Sequence, residues 1–250
     1  MRELLFAVIP SLVFIVRYHP KPSVPQLLGL FLMEAAPFLI AASLFGTGFG
    51  NVLFGFLLLY SVYEVGYIHN DIVSAKEKDG RTDRSQFAGF RIHIFLAARI
   101  PIIIGMIAIL YSRQDEQFLR ATCLLIFLLG TFLLHNLMLS PRKRVFTFLA
   151  LNTLKIFIRF LLLIPGGGAI TIASMPHIIV KLLHYLKSKK LISIAEIDFR
   201  HVGFYTYAGF APLLLALDLK IFLVALPYFL NHNKSLIYDY IRPFLLRLKK

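Results

Sequence analysis

From Pro25 onward the chain alternates long apolar runs with short clusters of charge, glycine or proline. About 30 Å of hydrocarbon, crossed at about 1.5 Å per helical residue, needs roughly 20 apolar residues. Runs that meet or approach that length cover 25–45, 51–69, 92–112, 118–140, 145–165, 168–186, 203–217 and 221–231, the last two being shorter. The separators are GTGFG, the 70–91 loop, SRQDEQ, SPRKR, PGGG, KSKKLISIAEIDFRH and LDLK. This pattern predicts an all-α fold, a polytopic transmembrane helical bundle of about eight or nine spans, forming a single integral membrane domain over 1–250. No soluble domain, low-complexity tract or internal repeat interrupts it. The opening MRELLFAVIPSLVFIV resembles a signal sequence, but one Arg precedes it and RYHPKPSVP, without a small-residue cleavage site, follows. It reads as a retained interfacial or short spanning helix.

Only 16% of the residues are charged, where a soluble domain approaches about a quarter. A net charge of +14 would suit nucleic acid, but in a membrane chain it reads as basic residues gathered on the cytoplasmic face beside anionic lipid. The expected partners are therefore membrane lipids and not nucleic acid. If the run at 25–45 passes from inside to outside, 19 Lys and Arg fall on one side and only Arg113 and Lys220 on the other. The positive-inside rule then makes the protein multi-pass, with the 70–91 and 187–202 loops and the C-terminus cytoplasmic. The lone Cys123 excludes a disulfide framework and a cysteine metal site.

The densest polar cluster follows an apolar helix, in VYEVGYIHNDIVSAKEKDGRTDR, residues 62–84. On a helix Tyr63, Tyr67, Asn70 and Ser74 recur at steps of four and three and share a face, while Glu64 and Asp71 line an adjacent stripe. Carboxylates and an amide oxygen are hard ligands that suit Mg²⁺, an ion commonly shared with substrate phosphates. The interspersed Lys and Arg suit the phosphate oxygens, Arg in bidentate fashion. Two readings stand from the residues alone: a metal-plus-diphosphate cradle, or a solvated loop whose signs balance.

NDIVSAKEKD followed by RTDRS resembles the first signature of the UbiA-type membrane prenyltransferases, an N-D-x-x-D-x-x-x-D element at the cytoplasmic end of the second helix with an R-T-x-x-R-P-like element downstream. Asn70, Asp71, Arg81 and Thr82 match. Ser74 replaces one acid, Lys78 stands where the last acid is expected with Asp79 one place later, Arg84 comes one position early, and no Pro follows. The likeness in pattern and placement covers roughly residues 25–91 and is topological beyond that. A second acidic motif is expected after the sixth span, where LISIAEIDFRHV supplies Glu196 and Asp198, followed by Arg200 and His201, at a different spacing.

The resemblance implies a transferase that moves a prenyl or other diphosphate-activated group to an acceptor in a cytoplasm-facing intramembrane cavity, with Mg²⁺ as cofactor. Its substrate lipid would be a polyprenyl diphosphate or polyprenyl phosphate. Asn70, Asp71, Glu77, Asp79 and Asp198 would hold the metal. Lys78, Arg81, Arg84, Lys155, Arg159 and Arg200 would bind phosphate. Asp71, Tyr63 and Tyr67 would form the catalytic set, the phenyl faces stabilising an allylic cation. The competing class is a non-catalytic UbiA-like scaffold or lipid-binding partner subunit, and a small transporter is a third.

Ionisable and amide groups inside the runs are costly and are expected to face the bundle interior. Asn152, Lys155 and Arg159 step by three and four and make one polar face on the fifth run. That face suits a cavity for an anion; the alternative is internal pairing, such as Glu34 or Glu64 with Arg99 or Lys155. His135 and His177 read as isolated structural residues, Lys181 as snorkelling from a helix end, and the glycines at 166–168 as a tight turn. No Walker loop, G-x-S-x-G elbow or zinc-spaced His pair is present. YDYIRPFLLRLKK reads as an amphipathic stretch at the membrane surface.

Overall fold

The computed structural model describes residues 2–18, 23–76, 89–112, 116–138, 140–163, 167–193 and 196–248. Among them the chain is helical throughout, with no strand. It forms two compact units, one of Met1–Gln26 with Gly50–Leu163 and the other of Leu27–Phe49 with Ile164–Lys250. Two described helices are long and apolar enough to cross a membrane, over Phe49–Ile72 and Ile92–Ser112.

The first unit begins with α1 (Arg2–Val8) and α2 (Leu12–Tyr18). The break lies at Pro10 and Ser11, where Ser11 takes a positive φ of 79°. At seven residues each, neither helix reaches the roughly 20 residues of a span, so the apolar N-terminus is a broken segment and not one short spanning helix. Phe6, Ala7 and Val13 pack with Ile68 of α5 (Phe49–Lys76), with Phe90, which precedes α6 (Ile92–Ser112), and with Phe95 in the first turn of that helix. A second core joins Leu58, Leu59, Val62 and Tyr63 of α5 to Leu125, Leu128 and Phe132 of α7 (Glu116–Leu137) and to Leu151, Leu154 and Ile158 of α8 (Pro141–Leu163). Gly66 makes the α5–α7 approach possible, since a Cβ there would stand 2.3 Å from the Phe132 ring.

Helix α3 (Val24–Glu34) starts where the Gln26 side chain accepts the Ser23 backbone N–H at 2.9 Å, the backward half of a capping box. It bends by 41° into α4 (Ala36–Phe45). Pro37 in the first turn of α4 has no N–H to continue the ladder of α3, which forces the break. The pair makes a third potential span if it is counted as one. Gly46, at φ 72°, closes α4 by donating its N–H to the Ala42 carbonyl.

In the second unit α9 (Gly167–Ile170) and a 3-10 helix (Thr171–Ser174) precede α10 (Met175–Ser188). The predicted run at 168–186 is thus interrupted. Gly167 and Gly168 open a short helix, while Gly166 lies outside the described residues, and Lys181 sits mid-helix in α10. Helices α11 (Glu196–Leu217) and α12 (Leu219–Leu248) meet at Asp218, whose carboxylate accepts the Lys220 backbone N–H at 2.8 Å. The 221–231 run is the first part of α12, a single helix of 30 residues that also contains most of the C-terminal basic stretch. Helix α4 packs along α12, as do α11 and the 3-10 helix.

Candidate functional site

Along α5, Tyr60, Tyr63 and Tyr67 stack at steps of three and four. The Tyr63 and Tyr67 rings meet edge-on at 4.7 Å, with their hydroxyls 3.4 Å apart. Phe132 of α7 lies 4.8 Å from the Tyr63 ring and 5.9 Å from that of Tyr67. Phe14 of α2 closes the other side, 5.5 Å from Tyr60 and 6.1 Å from Tyr67. The result is an aromatic wall built by three helices.

Two cations from α8 reach this wall. Lys155 Nζ stands 4.6 Å from the Phe14 ring centre, 5.2 Å from Tyr60 and 5.0 Å from Tyr63. Arg159 donates from Nη2 to the Tyr60 hydroxyl at 3.2 Å and lies 5.6 Å over the same ring. Lys155 is 4% exposed and Arg159 2%. Ring faces carry negative quadrupole density, and a desolvated cation over one gains about 2 kcal/mol, which offsets part of the cost of burying it. Asn152, on the same face, donates back to the Phe148 carbonyl at 2.8 Å.

The adjacent stripe of α5 serves a different purpose. Glu64 Oε2 meets Arg99 Nη2 at 2.9 Å with both side chains fully buried. Glu64 Oε1 accepts the Phe14 backbone N–H at 2.9 Å, in the first turn of α2. Arg99 also donates to Ser61 Oγ at 3.3 Å and to the Phe6 carbonyl. One buried ion pair therefore ties α1 and α2 to α5 and α6. Among the pairings that the sequence left open, Glu64 with Arg99 is formed.

Asp71 is fully buried and Asn70 half-buried near the end of α5. Beside them His69 Nδ1 lies 2.8 Å from the Asn136 amide nitrogen of α7, which also approaches the Gly66 carbonyl at 3.5 Å. Glu77, Lys78, Asp79, Arg81 and Arg84 lie outside the described residues. Asp198 and Arg200 fall in the first turns of α11, in the second unit, with their side chains outside what is described. Among the described residues no three His, Cys, Asp or Glu side chains converge as a metal cluster. Of the residues expected to hold the metal, only Asn70 and Asp71 have described side chains, one amide and one fully buried carboxylate.

Tyr60, Phe14 and Phe132 belong to the wall but not to the predicted site. Tyr60 was legible as the residue one turn before Tyr63. Phe14 and Phe132 arrive from distant sequence and carried no local signal. His135 is not isolated, as its Nδ1 lies 2.8 Å from Thr147 Oγ1, and His177 lies 2.9 Å from His232.

Comparison with known proteins gives no match to any family model, to any curated protein or to any solved structure. The likeness to the UbiA type rests on the motif residues themselves.

Proposed function

We propose that this chain is a multi-pass integral membrane protein of UbiA-like architecture, with about eight or nine spans, and that it moves a prenyl or other diphosphate-activated group to an acceptor. Its 70–91 and 187–202 loops would face the cytoplasm, as the distribution of Lys and Arg requires. One observation carries the reading: Lys155 and Arg159 are buried against the tyrosine face of α5, the helix that carries Asn70 and Asp71 in its C-terminal part. Two cations beside an aromatic wall provide both kinds of surface that the reaction needs. The cations receive the oxygens of the departing diphosphate by charge-assisted hydrogen bonds. Of the two tyrosines expected to line the pocket, Tyr63 and Tyr67, the ring of Tyr67 would offer its face to the allylic cation left when the carbon–oxygen bond breaks.

Asn70 and Asp71 would hold Mg²⁺, with Glu77 and Asp79 as further acids. The ion would supply neutralising charge to the diphosphate. Lys78, Arg81 and Arg84 would add phosphate contacts. The substrate lipid would be a polyprenyl diphosphate or polyprenyl phosphate.

A second reading, a UbiA-like scaffold or lipid-binding partner subunit, draws on the Glu64–Arg99 pair. There two intramembrane charges serve only to hold helices together.

Titration of the purified protein with a non-hydrolysable prenyl diphosphate, with and without Mg²⁺, separates the readings. The transferase reading expects saturable binding that weakens at least tenfold in Lys155→Met. Absence of binding in both conditions supports the scaffold.

A further inference from the structure

The second unit contains a polar contact that the transferase reading does not use. His177, near the start of α10, meets His232 of α12 with its Nδ1 2.9 Å from the His232 Nε2, within hydrogen-bond distance. His177 is buried and His232 half-buried. The ring of Tyr228, one turn before His232 on α12, stacks on His177 at 4.2 Å. Tyr207 of α11 lies 6.1 Å from the His232 ring. A Cβ on Gly203, one turn before Tyr207, would stand 3.2 Å from Asn233 Oδ1 and 3.3 Å from His232 Cβ. The small residue lets α11 lie close against the helix that carries His232.

The protons that this contact tolerates can be counted. A neutral imidazole has one N–H and one lone pair, so in the neutral pair one ring donates along the 2.9 Å line and the other accepts. A first added proton goes to the far nitrogen of the donor ring, and the bond persists with charge assistance. His177 suits the donor role, because an imidazolium stacked on the Tyr228 ring gains from the negative face of that ring. For a second added proton the one lone pair left is that of the accepting nitrogen. Two N–H groups then point at each other between two like charges, and the bond is lost.

On α10 the face of His177 continues to Lys181 and His184, and the helix carries no acid. On α12 Tyr228 and Asp239 share the stripe of His232, and Lys234 lies two residues beyond it. Helix α11 carries His201, Tyr205 and Tyr207, with the side chains of Glu196, Asp198 and Arg200 outside what is described. Helix α3, which approaches Asn231 and Lys234 at Gly29, carries Glu34. Neither α4, α9 nor the 3-10 helix has an ionisable side chain. Around the contact, Ser174 Oγ, the Tyr207 hydroxyl and Asn233 Oδ1 have no hydrogen-bond partner among the described residues, and all three residues are more than nine-tenths buried. Buried polar atoms left so oppose the closed packing and are satisfied when water reaches them, so closure leans on the bond between the two rings.

We infer that the His177–His232 contact is a pH-sensitive clasp between α10 and α12, closed while the pair holds at most one added proton and opened by the second. Acidification below the ordinary histidine value of about 6.5 therefore loosens the second unit, and return to neutral pH closes it again. The device is independent of the transferase reading and holds if the protein is a scaffold.

The test uses the purified full chain in detergent, with isotope-labelled histidine nitrogens, followed by NMR from about pH 8 to about pH 5. A scalar coupling across the N–H···N bond is expected at about pH 8, and its loss at about pH 5. In a Cys123→Ser background, spin labels on Met175→Cys and Leu230→Cys, both at exposed positions, should move apart over the same interval. His177→Gln and His232→Gln, whose amides hydrogen-bond without titrating, should each remove this pH response. His184→Gln, at an exposed position of α10, should leave it intact. Absence of the coupling at about pH 8 overturns the clasp, and that measurement on the parent chain does not depend on a variant that folds. A coupling that persists at about pH 5 overturns the opening. Equal label displacement in the parent, His177→Gln and His232→Gln assigns the response to other groups and overturns the device.

Discussion

Glu64 and Arg99 meet at 2.9 Å with no solvent access to either side chain, and through Phe14 N–H and the Phe6 carbonyl the same two residues hold both N-terminal helices. Removing one member of such a pair leaves a buried charge uncompensated, at about 3–5 kcal/mol, whereas replacing both with apolar groups of similar size is far less costly. Glu64→Gln and Arg99→Met are each expected to lower stability by about that amount, and the double variant by much less than their sum. A double-mutant cycle by thermal unfolding in detergent measures it; strictly additive losses would show that the pair is not coupled.

Gly66 and Phe132 set the spacing of α5 and α7. Gly66→Ala would place a methyl group 2.3 Å from the Phe132 ring, and the overpacking should cost about 1–3 kcal/mol. Because Phe132 also braces Tyr63 and Tyr67, diphosphate binding should weaken with it. Phe132→Leu, which frees the space, should recover stability in the Gly66→Ala background. If Gly66→Ala melts like the parent protein, the close approach is wrong.

Asp71 and Asp83 separate the metal reading from the loop reading. Asp71 is fully buried and belongs to the Asn-Asp pair, while Asp83 lies between two basic-motif positions outside the described residues. Asp71→Asn removes the anionic ligand that would hold Mg²⁺ and should impair function in complementation far more than Asp83→Asn, which forfeits at most an ion pair of about 0–1 kcal/mol. Equal tolerance of the two changes favours the scaffold.

Chelation provides a further test. With fewer acids than the UbiA-type pattern, more of the neutralising charge must come from Lys155, Arg159, Arg81 and Arg84, each contact contributing about 1.5–3 kcal/mol. Diphosphate binding should therefore weaken only partly in EDTA but sharply in Arg81→Ala, Arg84→Ala or Arg159→Ala. Calorimetric titration distinguishes the two effects, and complete loss in EDTA with normal binding by the arginine variants would reverse the assignment.

The membrane orientation has its own measurement. In a Cys123→Ser background, single cysteines placed in the 70–91 and 187–202 loops should label from the same side of oriented vesicles. Labelling from opposite sides removes the proposed topology and the site built on it.

The helical class and the membrane-like composition were legible in the sequence because long apolar runs admit few other structures. So was the polar face of α8, since Asn152, Lys155 and Arg159 follow the helical period, and so was the list of charges that needed company. The choice of companions was not. Glu64 had Arg99 and Lys155 as candidate cations, and only the packing of α6 against α1 and α5 selected Arg99. Lys155 found three aromatic rings, one of them on a seven-residue helix that the sequence presents as part of a continuous apolar run. His177 and His232 are 55 positions apart, and nothing local announces that their rings meet. Periodicity is a property of one helix and is written in neighbouring residues; the pairing of buried charges and rings depends on which helices touch. That is fixed by the joint burial of side chains from distant segments, where a single glycine such as Gly66 or Gly203 decides how closely two faces approach.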